Sequence, residues 1–199
     1  MSVSLPAVLL AAGGSTRMGR PKQLLPYRGQ PLVRHAAETL VAAGFRPIFV
    51  VIGSEADAVR AVLEGLPIVI VRNDHWQRGI GSSLRCGIER AAQEWPPVPG
   101  VLVALADQPG VTVDHLRGLR AAWKSDHIAA SHYAGAPAVP AIFPAALFED
   151  LFRLPDDAGA KSVLQRYADR TALVPLEKHD DIDQPSDYER LLADHEERR

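Results

Sequence analysis

Four polar segments in this 199-residue chain carry side chains suited to phosphate chemistry. In the first, Ala11 to Lys22, glycines let backbone N–H groups approach an anion closely while Arg17, Arg20 and Lys22 supply positive charge. That combination reads as a polyphosphate cradle or, more plainly, as a Gly-rich strand-to-helix turn with exposed basic residues. Gly14 to Gly19 has the Walker A glycine spacing, but Arg20 and Pro21 replace the required Lys and Ser/Thr, and the dinucleotide GxGxxG pattern is absent. The second segment, Asn73 to Ser83, sets amides and hydroxyls around Gly79 and Gly81. It could read a base edge, or form an Asx turn followed by a Ser N-cap. The third is Asp107, a hard oxygen donor of the kind Mg²⁺ takes alongside water and phosphate, or else a turn-initiating Asp before Pro109. The fourth is Asp181-Ile182-Asp183, whose carboxylates share one side if the chain is extended, or which forms a polar entry to a terminal helix.

The elements that must position these residues follow from periodicity. Ala7 to Ala11 reads as a buried strand, and Leu32, Val33, Ala36, Ala37, Leu40 and Val41 recur at helical spacing until Gly44. Strand Ile48 to Ile52, a helix opened by a capping-box-like Ser54-Glu55-Ala56-Asp57, and strand Ile68 to Val71 repeat the unit. A helix near Ser82 to Glu94, strand Val101 to Ala106 and a helix capped by Thr112, with Leu116, Leu119 and Trp123 on one face, continue it. Beyond Ile128 the pattern predicts a strand over Ala138 to Phe143, a helix over Ala160 to Tyr167, a strand over Thr171 to Leu176 and a helix over Ser186 to Ala193. Apolar strands alternating with helices predict a three-layer α/β/α sandwich around a mostly parallel, Rossmann-like sheet with right-handed crossovers. In such a sheet, ligands bind beyond the carboxyl ends of the strands, where all four segments fall.

The balance of 22 Lys plus Arg against 24 Asp plus Glu supplies no bulk field for a nucleic-acid backbone. Cys86 is the sole cysteine, so disulfides, zinc clusters and CxxC pairs are excluded within one chain and a reducing cytoplasm is the expected setting. Cys86 falls in an amphipathic helix, where a small buried hydrophobe is expected. Its neighbour Arg85 reads as a solvated helix residue close enough to the second segment to reach phosphate. The seven histidines show no metal-binding spacing. No apolar stretch approaches the roughly 20 residues of a membrane helix, and the charged tail Asp194 to Arg199 reads as a solvated end.

Taken in this order, the segments resemble the molybdenum cofactor cytidylyltransferase group of nucleotidyltransferases over most of the chain. Leu10 to Leu25 resembles its signature, Asn73 to Leu84 its base-side segment, Leu105-Ala106-Asp107-Gln108-Pro109 its metal-binding turn, and Asp181 to Tyr188 its C-terminal motif. Two acceptor-side positions depart from the pattern. Ala138-Val139-Pro140 stands where a Gly usually precedes the Pro, and Lys161 occupies a common Arg position.

The resemblance implies one nucleotidyltransferase domain, residues 1–199, with the nucleotide-diphospho-sugar transferase fold. It implies transfer of CMP from CTP to the terminal phosphate of molybdopterin, with release of pyrophosphate. Lys22, Arg17 and Asp107 would be catalytic, and Asp107 and Asp183 would hold Mg²⁺. Leu10, Ala11, Ala12, Gly13, Gly14, Lys22, Asn73, Gly79, Ser82 and Ser83 would bind the nucleotide. CTP, the molybdopterin or molybdenum cofactor and a molybdoenzyme receiving the product are the implied partners, with neither nucleic acid nor membrane. Ala12 bears on base choice, because Leu-Ala-Ala-Gly goes with CTP users and Leu-Ala-Gly-Gly with GTP users. The rival expectations are a related transferase using GTP or another phosphate acceptor, and a non-catalytic carrier delivering the finished cofactor.

Overall fold

The computed structural model describes residues 4–15, 18–94, 96–177, 182 and 184–196. Its centre is a seven-stranded sheet in the order β5-β4-β1-β6-β8-β7-β9. The strands are β1 (Ala7–Ala11), β4 (Ile48–Ile52), β5 (Val69–Arg72), β6 (Gly100–Leu105), β7 (Ile128–Tyr133), β8 (Ala136–Pro144) and β9 (Thr171–Pro175). β5, β4, β1 and β6 run parallel, and β8 enters antiparallel between β6 and β7.

The period-two rule divides the strand residues between two cores. Ala7, Leu9 and Ala11 of β1, with Ile48, Val50 and Ile52 of β4, face α1 (Leu32–Ala42), α2 (Ala56–Val62) and α4 (Val113–Ala122). Val8 and Leu10 of β1, with Phe49 and Val51 of β4, face α3 (Ile80–Glu94), α5 (Phe148–Phe152) and α6 (Lys161–Arg166). Burial on both faces explains why these strands read as unbroken apolar runs. A small third core joins Met18, Leu25, Tyr27 and Leu32 to Ile182, Tyr188 and Leu191, the last two in α7 (Pro185–Glu196). The Tyr188 hydroxyl donates to the Pro26 carbonyl at 2.6 Å, so the end of the chain braces the segment after the first loop.

The three-layer, mostly parallel fold expected from periodicity is the one observed, with local corrections. β7 and its pairing with β8 were hidden because the joining turn, Ala134-Gly135, lacks the usual Asn or Asp. Both residues nonetheless adopt positive φ (50° and 79°), as a two-residue type I′ hairpin requires. A second such hairpin, Arg28-Gly29, joins β2 (Pro26–Tyr27) to β3 (Gln30–Pro31). Ser54 to Asp57 is not a capping box: Glu55 occupies the N-cap in the left-handed region, φ 52°, with no side-chain cap. Thr112 does cap α4, accepting from the His115 N–H at 3.2 Å.

Candidate active site

β1 lies between β4 and β6, and the chain leaves this sheet centre in opposite directions, creating the crevice where α/β sheets bind ligands. The loop after β1 lines a cavity of about 330 Å³, together with Trp76, Gly79 and Ser83 on one side and Asp107 beyond the end of β6 on the other. Gln23, buried in a 3-10 turn (Lys22–Leu24), fixes the loop from beneath. Its side-chain amide donates to the carbonyls of Gly13 (2.8 Å) and Ala11 (3.2 Å). The Ser54 N–H takes the Ala12 carbonyl at 3.0 Å. Carbonyls that would repel a phosphate are thereby engaged by protein donors. Ser15, at φ 50°, accepts the Lys22 N–H at 2.9 Å and donates to Gln23 Oε1 at 3.2 Å, which fixes the start of the turn carrying Lys22.

The two charged groups of this cradle meet directly: Lys22 Nζ lies 2.8 Å from Asp107 Oδ2, both side chains being about one-fifth exposed. Partial desolvation strengthens such a pair while leaving its outer side open to an incoming ligand. Leu10, Ala11, Ala12, Gly13 and Gly14 line the cavity as well. A Cβ on Gly13 would meet nothing within 4 Å, so packing does not demand glycine there. At Gly14 and Gly53 a Cβ would lie 2.7 and 2.6 Å from Trp76, whose indole rests on both backbones and walls the cavity.

The second segment is partly structural. Asn73 is buried and does not line the cavity. Its amide donates to Ser82 Oγ (3.1 Å) and Ser83 Oγ (3.0 Å), and its carbonyl accepts the His75 N–H in an Asx turn (3.0 Å). Ser82 is likewise buried off the cavity and bonds to the His75 carbonyl, whereas Ser83 reaches the cavity. Neither serine is the N-cap that the sequence suggests, because α3 already begins at Ile80. Gly79 lines the cavity and also permits close packing: a Cβ there would lie 2.4 Å from the Asp156 carbonyl oxygen. Arg85 is not solvated, for its guanidinium pairs with Asp156 and donates to the Leu154 carbonyl.

Arg17, Asp181 and Asp183 lie outside the described residues. Ile182 between the two aspartates is fully buried, and its N–H donates to the Asp107 carbonyl at 3.3 Å, so the C-terminal segment passes beside the end of β6. Among the described residues no group of three or more His, Cys, Asp or Glu converges on a common point. Burial pushes the Cys86 thiol above its ordinary range, with Glu89 adding to the effect, as suits a packing residue.

A larger cavity of about 500 Å³ adjoins the first and shares Leu10, Ile80 and Leu105 with it. Its walls are Tyr133, Ala138 and Val139 from the β7–β8 hairpin, with Gln108 and, from the start of α6, Lys161. Gln23, Trp76 and Asp156 are the residues that motif reading left without a role. Gln23 and Trp76 sat inside segments already singled out, and Asp156 lay in a stretch with no periodic signal. Their functions depend on contacts between distant parts of the chain.

Comparison with known proteins agrees with this arrangement. Over 198 residues the chain is 30% identical to the purine catabolism protein PucB of Bacillus subtilis strain 168, covering 93% of this chain and 94% of that protein. Over 127 residues it is 42% identical to nicotine blue oxidoreductase of Paenarthrobacter nicotinovorans, a match spanning 63% of this chain and 60% of the relative. Rv0371c of Mycobacterium tuberculosis H37Rv superimposes with TM-score 0.81 at 32% identity, covering 96% of this chain and 99% of that one. A complex of Rv0371C with manganese aligns at TM-score 0.78 and 30% identity, over 96% and 99% of the two chains. Residues 7–171, from β1 through the start of β9, match the MobA-like NTP transferase domain. With a cradle at the sheet centre, a second cavity against it and that match across both, the chain belongs to the MobA-like NTP transferase domain family and is a nucleotidyltransferase.

Proposed function

We propose that the chain transfers CMP from CTP to the terminal phosphate of molybdopterin, yielding a dinucleotide cofactor and pyrophosphate. The observation that carries this reading is the pair of abutting cavities, one bearing the Lys22–Asp107 pair under a glycine loop and the other lined largely by apolar groups with Lys161 at its edge. A nucleotide hydrolase needs only the first. A transferase needs both, with the two reacting groups meeting at the shared wall.

An acceptor phosphate is anionic at neutral pH, so its oxygen attacks the α-phosphorus without a general base. The new P–O bond forms as the bond from the α-phosphorus to the bridging oxygen breaks, and pyrophosphate leaves with the electron pair. Alignment and charge neutralisation then carry the catalysis. In this reading Lys22 and the loop N–H groups of Gly13 and Gly14 bind the polyphosphate, with Arg17 adding charge. Leu10, Ala11, Ala12, Gly79 and Ser83 shape the nucleotide pocket, and Asn73 and Ser82 hold Ser83 and the turn in place.

Among the described residues Asp107 is the carboxylate that lines this cavity, which suits Mg²⁺ bound largely through substrate oxygens and water, and Asp183 would be its second protein ligand. That a mycobacterial relative forms a manganese complex supports the use of a divalent ion. When bound, the ion supplies charge neutralisation at the phosphates. Ala12 is buried and lines the cavity, so its methyl restricts the room beside the loop and favours cytosine over guanine.

The test presents the purified protein with Mg²⁺, molybdopterin and each of the four nucleoside triphosphates, reading pyrophosphate and dinucleotide together. CTP-dependent dinucleotide formation is expected. Preference for GTP, or transfer only to other phosphate acceptors, would overturn the substrate assignment. Binding without turnover would move it to cofactor delivery. Reduction of an acceptor by a nicotinamide nucleotide would move it towards the redox activity for which the Paenarthrobacter relative is named.

A further inference from the structure

We infer that Asp156 is a positioning residue that holds the acceptor cavity in register with the nucleotide cavity. Its carboxylate bridges two arginines of the nucleotide side. Arg78 Nε lies 2.7 Å from Oδ2, and the Arg85 guanidinium engages Oδ1. Its backbone carbonyl accepts the Gly81 N–H at 2.8 Å. The surfaces are pressed together so closely that a Cβ on Gly79 would lie 2.4 Å from the Asp156 carbonyl oxygen, and one on Gly81 2.2 Å from that of Pro155. Arg85 also donates to the Leu154 carbonyl, so one guanidinium grips the chain at both Leu154 and Asp156.

These contacts join the two substrate compartments. Upstream of Arg85, Gly79, Ile80 and Ser83 line the first cavity; downstream of Asp156, Gly159, Ala160 and Lys161 line the second. Ile80, in both linings, sits where the two meet. The partners are unequally anchored. α3 packs Leu84, Ile88 and Ala91 into the core, and Gly87 lets it approach Val8 and Val51 closely. Residues 153–160 join two short helices without any strand pairing of their own. With the carboxylate removed, Arg78 and Arg85 repel each other and the 153–160 stretch moves, while α3 stays. The defect therefore falls on the acceptor, and Lys161 at the start of α6 is displaced with it.

This inference rests on the two-substrate reading above, and its test is built to fail separately. In Asp156→Asn, the acceptor KM is expected to rise about tenfold or more while the KM for the nucleotide stays within about threefold. Arg78→Gln, which removes the more exposed half of the clamp, should shift the acceptor KM in the same direction by less. Glu94→Gln at the far end of α3 should change neither. Hydrogen exchange supplies a readout independent of any acceptor. The Gly81 and Ala158 amides, bonded to the carbonyls of Asp156 and Pro155, should exchange faster in Asp156→Asn, with Ile88 unchanged. A parallel rise in both KM values, an unmoved acceptor KM or unchanged exchange at Gly81 and Ala158 would overturn the positioning role. Absence of transfer in the wild type would instead overturn the proposed function, and exchange would still decide whether the clamp orders residues 153–160.

Discussion

Replacing Gly13 with alanine should separate stability from nucleotide binding. Gly13 lines the first cavity, has no positive φ, and would carry a Cβ with no heavy atom within 4 Å. On the protein side the substitution is therefore unstrained, and by narrowing the unfolded ensemble it should stabilise the fold by about 0.4–1 kcal/mol. For a chain of this size that corresponds to a rise in melting temperature of about 1–4 °C. On the ligand side the methyl occupies space the polyphosphate must enter. Loss of one hydrogen bond to a charged group costs about 1.5–3 kcal/mol, or about 10- to 150-fold in kcat/KM for the nucleotide. Gly14→Ala is the contrast, because its Cβ would meet the Trp76 ring at 2.7 Å and should lower the melting temperature as well. Melting curves and nucleotide kinetics on both variants decide the matter. A Gly13→Ala enzyme with kcat/KM within threefold of wild type would show that the glycine loop does not approach the phosphates, and the cradle would have to be abandoned.

Asp107→Asn should lower turnover by about 100-fold or more while unfolding shifts little, since an ion pair still open to solvent on its outer side contributes about 1 kcal/mol; single-turnover kinetics and melting on the same sample check this. Lys161→Ala should raise the acceptor KM and leave nucleotide binding unchanged, a split that steady-state kinetics on each substrate would reveal. Cys86→Ser should retain kcat, because the thiol is raised by burial and plays no part in transfer; inactivation of the variant would contradict that. Burial, foremost, lowers the pKa of both His35 and His115 below the ordinary 6.5. The unfolded chain therefore takes up protons first on acidification, so this contribution is whole above about pH 6.5 and is lost as pH falls below it. The loss of melting temperature between about pH 7.5 and 5.5 should shrink in the variant His35→Gln/His115→Gln. Ala12→Gly should narrow the ratio of kcat/KM for CTP over GTP by about 10-fold or more without inverting it; an unchanged ratio would remove residue 12 from base selection.

The first half of the fold was legible because each β-loop-α unit keeps its information local. β1 and β4 begin and end where their apolar runs do, and Thr112 caps α4 as its type suggests. The later half depended on less local features. Ala134-Gly135 forms a type I′ turn without the residues that usually advertise one, so β7 and the antiparallel insertion of β8 could not be read from pattern. The site divides in the same way. Gly13, Lys22 and Asp107 announce themselves by type and by position at strand ends. By contrast, the type of Asn73 suited a base reader and an Asx turn equally, and only its hydrogen bonds decide for the turn. Asp156, 71 residues from Arg85, had no local signal at all.

If the acceptor is a phosphate, as proposed, no nucleophile–base pair is needed. Acyl transfer requires a neutral hydroxyl or thiol to be activated, whereas a phosphate monoester brings its own negative oxygen. The remaining difficulty is repulsion between two anions that must meet. A glycine loop whose carbonyls are held by Gln23 and Ser54, and a lysine held 2.8 Å from a carboxylate, address that difficulty directly. Placing them at the centre of a sheet buried on both faces keeps the donors preorganised, so little reorganisation remains at the moment of transfer. Acceptor identity is then free to vary with the β7–β8 hairpin and the 153–160 stretch, which lie on the side of the cavity away from the cradle. On the proposed reading, the Asp156 clamp is the point at which variation on the acceptor side must stay in register with the nucleotide side.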